Sequence, residues 1–256
     1  MHSPARLPHG RAALVLVGVL AVVAVLVSLV VPGRAAAAAA AHRDLNPTLD
    51  IAPPSNIFGV ACRTAPDGSA CETLLLAALN AARSQLGQPS YALPSNFATL
   101  SPQRQLLALV NSDRALYHRQ AVKGTLAALN ASAQRAADAP GVVDPSPVRS
   151  VDGKKAWGWA SNWAGGTAPM NSPLYAYYEW MYDDGYAADG SSNNLDCTPG
   201  NDSGCWIHRD NTLTGFGAHR QVAMGVGSSS ANGEYDWTEL FESFSKTANL
   251  PYAARS

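Results

Sequence analysis

Lysine is scarce in this chain. Only four of its 18 basic residues are Lys, and the Arg residues are not gathered into a patch. With a formal net charge of −1, the sequence gives no electrostatic reason to expect a nucleic-acid partner. No G-x-S-x-G segment occurs, which removes the nucleophile elbow. The four cysteines lack C-x2-4-C spacing, which argues against a zinc site. Asp189, Asn193, Asn194 and Asp196 supply calcium-type oxygens without EF-hand spacing, so they read as a solvated loop.

What is present points outward from the cell. Arg6 and Arg11 precede an uncharged apolar run over residues 12–31. That run has the ~20 residues a membrane span needs, and positive flanks stay inside. Residues 1–41 are therefore a signal peptide or a signal anchor. Ala39 and Ala41 fit an A-x-A cleavage site, whereas the length of the run fits a retained anchor. Either outcome places everything after Arg34 outside the cytoplasm, and membrane contact is expected only through this segment. All four cysteines follow it, and an even number in an oxidising compartment implies disulfides. Three connectivities exist, and the short separations favour Cys62 with Cys71 and Cys197 with Cys205.

Residues 42–70 are rich in Pro, Asn and small side chains, with Pro53 and Pro54 adjacent, and read as an extracellular linker. An N-terminal helical extension is expected over 71–100, its helix at 72–86 stopped by Gly87. In 101–249, Ser101 and Pro102 open a helix with Leu106, Leu109, Val110 and Leu116 on one face. A second helix is expected over 126–138, capped by Thr125, whose Ala residues imply close approach to a neighbour. Trp157 to Gly166 reads as a strand, and Pro173 opens a helix carrying Leu174, Tyr177, Tyr178 and Met181. Segments 221–227 and 234–244 read as strands joined at Asn232 and Gly233, a strong hairpin signal. Residues 250–256 form a C-terminal tail. The pattern suits an α+β layered domain.

The stretch CWIHRDNTL, from Cys205 to Leu213, carries a family resemblance. Together with WMYDDG, MGVG, YDWTELFESF and the earlier LLALVNSDRALY with its Asn111 and Arg114, it resembles the bacterial branch of the CAP superfamily, the SCP-like extracellular domains. The likeness covers roughly 101–244. It implies an α/β/α sandwich with a central antiparallel sheet and a cleft where two histidines and two acidic residues can hold a metal. His208 in IHRDNTL matches a family histidine. Asp183 stands three residues after Trp180, where many members have Glu, with Asp184 as the alternative. Ser161 in ASN replaces the Glu of the family's GEN strand, and Asp144 in VVD replaces the other histidine. His208, Asp183 and Asp144 would bind a divalent cation only weakly, since one nitrogen among hard oxygens makes a poor transition-metal site.

The resemblance thus implies an exported, non-enzymatic binding module for a cell-wall glycan, peptide or lipid. The alternative is a metal-assisted or Ser-dependent hydrolase of peptide or wall polymer, using His208 with Asp183 and Ser161. His208 also has a structural reading, as a bridge between backbone groups beneath the Cys197 to Cys205 loop.

Overall fold

The computed structural model describes residues 46–65 and 68–255, so the apolar run of 12–31 lies outside it. The fold is mixed α/β. Along the chain run α1 (Val60–Thr64), α2 (Ser69–Gln85), α3 (Pro102–Leu116), β1 (Val122–Leu126) and α4 (Ala127–Ala137). A short hairpin of β2 (Ser150–Val151) and β3 (Lys154–Lys155) leads into β4 (Gly158–Gly166) and α5 (Pro173–Tyr182). The remainder is α6 (Ile207–Thr212), β5 (Arg220–Ala231), β6 (Glu234–Ser245) and β7 (Tyr252–Arg255). Among the described residues no helix is long and apolar enough to cross a membrane.

The main sheet has five strands in the order β4-β6-β5-β1-β7. Its centre is the β5–β6 hairpin, closed at Asn232 (φ 54°) and Gly233 (φ 83°). Positive φ at both positions is the type I′ geometry that Asn-Gly favours. An antiparallel sheet was expected, and this one is mixed, because β1 lies parallel to β5, with Val122 opposite Val222. A parallel pair needs a long crossover, and everything from α4 to α6 lies between these two strands. Thr125, expected to cap the second helix, instead sits in β1 opposite Met224, and the helix begins at Ala127.

Alternation along β5 separates two apolar layers. Val222, Met224 and Val226 join the larger core with α2, α3 and α5, whereas Ala223 joins Leu126, Leu129, Leu240 and Phe244 beneath α4. The two glycines of MGVG explain how closely α4 approaches. A Cβ on Gly225 would lie 2.2 Å from the Leu129 carbonyl carbon, and one on Gly227 would lie 2.4 Å from that of Ala133.

Residues 46–64, expected to be linker-like, lie against the larger core, with Ile51, Ile57 and Cys62 buried in it. The Ile51 amide donates to the Tyr182 carbonyl at 2.8 Å, and the Tyr178 hydroxyl donates to the Ile51 carbonyl at 2.7 Å. Apolar side chains between the prolines supply that contact, which a composition argument overlooks. Both expected disulfides are present, Cys62–Cys71 joining α1 to α2 and Cys197–Cys205 closing the loop before α6. Two disulfide-bonded pairs agree with an oxidising, extracellular compartment.

Candidate functional site

Helix α5 ends at Tyr182, and Asp183 and Asp184 follow it at an end where negative charge is unfavourable. Asp184 escapes that penalty by serving another helix. Its Oδ2 accepts the backbone N–H groups of His208 (2.9 Å) and Arg209 (3.2 Å) in the first turn of α6. Trp206, in the left-handed region at φ 63°, turns the chain into that helix, and its N–H donates to the Asp184 carbonyl at 2.8 Å. The indole packs over Gly185, where a Cβ would lie 2.6 Å from the ring.

On this frame His208 Nδ1 lies 2.6 Å from Asp184 Oδ1, and the carboxylate is 1% exposed. Burial pulls the imidazole toward its neutral form. The charge and hydrogen bond of Asp184, backed by Asp144 and Asp196, outweigh burial and raise the pKa of His208. Asn194 locks the arrangement from the loop side, donating to Asp184 Oδ1 at 2.8 Å and to the Gly204 carbonyl at 2.9 Å. The loop read as solvated around Asn194 is thus pinned by that buried amide and one disulfide.

His208, Asp183 and Asp144 all line one cleft of about 90 Å³, with Trp163, Trp180 and Glu179 also on its wall. Asp144 stands at its exposed rim, where desolvation raises its pKa and His208 opposes that. Asp183 Oδ2 accepts from Asn193 at 3.0 Å, and its carboxyl hydrogen-bonds that of Asp50 from the N-terminal strap. Burial and the neighbouring Asp183 and Asp184 charges push Asp50 to about 7, against the pull of the Gly185 N–H. Ser161 is placed elsewhere. It lies opposite Leu240 and shares that residue's face, under α4. Asn162 takes the other face and donates to the His208 carbonyl (2.9 Å) and to Glu239 Oε1 (2.7 Å).

Two acidic residues were overlooked in the sequence. Glu179 lines the cleft and is pushed to about 7, chiefly by burial. Its position four residues before Asp183 was the available signal, because i and i+4 share a helix face. Glu239 lies fully buried behind α6, also at about 7 through burial, with Thr212 and Asn162 holding its Oε1. Strand alternation along YDWTELFESF could have placed it beside Asn162.

Among the described residues no group of three or more His, Cys, Asp or Glu side chains is arranged to hold a metal ion. His208 Nδ1 and both Asp184 oxygens are engaged by protein partners. The arrangement can supply a paired imidazole beside Glu179, a carboxyl that burial brings to about 7. No protein-family model, curated protein or solved structure matches the chain.

Proposed function

We propose that this chain is an exported binding module with a CAP-like α/β/α sandwich, and that its acidic cleft receives the cationic tip of a cell-envelope ligand such as an amine on a wall peptide. The carrying observation is the make-up of the cleft wall. Asp144, Glu179, Asp183, Asp184 and Asp196 surround His208, and among the described residues no Ser, Thr or Cys lines the cleft. A Ser nucleophile would have to sit within hydrogen-bond reach of the imidazole, and Ser161 faces the other layer. At about 90 Å³ the cleft is well below the ~300–1,000 Å³ of pockets that enclose drug-sized ligands, so it suits the end of a larger molecule.

One observation favours a hydrolytic second reading. His208, oriented by Asp184, stands in the same cleft as Glu179, and a carboxyl near 7 with an oriented imidazole forms an acid/base set. Sedimentation of the purified chain with isolated cell wall, followed by assay of the supernatant for released fragments, separates the two. The binding reading expects retention on wall that is lost in Glu179→Gln and Asp183→Asn, with no fragments released. Fragment release that disappears in His208→Ala would replace it with the hydrolytic reading.

A further inference from the structure

A second site lies apart from the cleft, at the start of edge strand β4. There the β2–β3 hairpin, turning at Asp152 (φ 47°) and Gly153 (φ 71°), delivers two indoles to the surface. Trp157 is 58% exposed and Trp159 is 53% exposed, an unusual state for the most apolar-rich of side chains. Pro147, Arg149, Lys155, Trp157, Trp159 and Glu242 line a groove of about 250 Å³ there. The Trp157 ring is held by cations, with the Arg220 guanidinium 4.2 Å and the Lys155 ammonium 5.1 Å from its centroid. Among the described residues no ring or cation stacks on Trp159.

The groove also holds an acceptor without a donor. Glu242 is fully buried, and its Oε1 accepts the N–H groups of Val148 (2.5 Å) and Arg149 (3.2 Å). Its Oε2 is buried with no partner among the described residues. Leaving a carboxylate oxygen unpaired is costly, and a hydroxyl entering the groove would satisfy it. A flat apolar face, a buried acceptor and exposed cations are the complements of a sugar's C–H face, its hydroxyls and an acidic substituent.

We propose that this groove binds an acidic glycan, with a sugar ring stacked on Trp159, a ring hydroxyl donating to Glu242 Oε2, and the acidic group held by Arg149 and Lys155. The site goes beyond the cleft reading and shares no lining residue with it. Duplex DNA would bring phosphates but no ribose 2′-hydroxyl to donate to the carboxylate. At about 250 Å³ the groove suits the end of a chain that continues into solvent.

Calorimetry on the purified exported chain tests this, with polygalacturonate, neutral dextran and duplex DNA as probes. Polygalacturonate should bind best. Trp159→Ala should weaken it about ten-fold, the scale of one lost aromatic contact, without lowering the melting temperature. Trp159→Phe should recover part of the loss, Lys155→Gln should flatten the salt dependence, and His208→Ala should leave binding intact. Absent polygalacturonate binding, equal binding of dextran or DNA, insensitivity to Trp159→Ala, or loss in His208→Ala would each overturn the assignment.

Discussion

Arg83 and Asp113 meet at 2.7 Å with side chains 2% and 1% exposed, and this buried ion pair ties α2 to α3. The remaining lone pairs are not wasted. Asp113 Oδ2 accepts from the hydroxyls of Tyr91 (2.7 Å) and Tyr177 (2.6 Å), and Arg83 lies 3.4 Å over the Tyr91 ring. Asp113→Ala should therefore destabilise the fold by about 3–5 kcal/mol, because it strands a buried guanidinium. Urea denaturation measures this directly. A loss below ~1 kcal/mol would mean that water reaches the network.

Asp184 and His208 should separate in their effects. Asp184→Ala removes the one oxygen that caps two N–H groups of α6, and the partner of Asn194 and His208, so it should cost about 2–4 kcal/mol. His208→Ala removes one charge-assisted hydrogen bond but leaves Asp184 its two N–H donors and Asn194, so it should cost less, about 1.5 kcal/mol. Thermal melts of both variants decide it. Equal losses would make His208 chiefly a structural bridge under the disulfide loop.

Stability should fall as pH rises toward neutrality. Asp50, Glu179 and Glu239 each stand near 7, so in the folded state they keep protons that the unfolded chain releases from about pH 4 upward. Where the folded state binds more protons, stability decreases with pH, here across the window from about 4 to 7. His208 has the same sign. Its raised folded pKa gives a contribution complete below ~6.5 and lost as pH climbs through the folded value. Melting temperatures should decline from pH 5 to 8, and Glu239→Gln should flatten that decline. A profile that rises across the range contradicts the burial of these carboxyls.

Gly225→Ala should destabilise by roughly 1–3 kcal/mol through overpacking, since the added methyl meets the backbone of α4 rather than a side chain that can turn away. Gly233→Ala is the control. It removes the favoured residue from a positive φ in open space, so its cost should come from backbone strain alone. If Gly225→Ala melts like the wild type, α4 can slide along β5.

Regular periodicity made much of the fold legible. The helical face of Leu106, Leu109 and Val110 and the Asn232-Gly233 turn follow from local rules, and both are found where expected. Strand β1 was not legible, because VKGTL is five residues interrupted by Gly124 and its partners lie a hundred residues away. Helix α6 is only six residues, held by the distant Asp184 rather than by its own cap. In the site, His208, Asp183 and Asp144 were placed by motif and share one cleft, while Ser161 faces the other layer by the alternation of its strand. Glu179 and Glu239 owe their proton affinity to burial, and burial is a property of the assembled chain.

The placement of β1 between β5 and β7 sets an order of events for folding. Neither neighbour exists until residues 220–255 have been made, so the sheet cannot zip from its N-terminal end as synthesis proceeds. Loop-closure entropy must be met before any of these distant pairings stabilise the chain, which makes assembly slow. Until then the edges of β1 stay open to pairing with other chains. A ribosome-stalled chain ending at residue 219 should accordingly be protease-sensitive and chaperone-bound, and its folding should await the last two hairpin strands and β7.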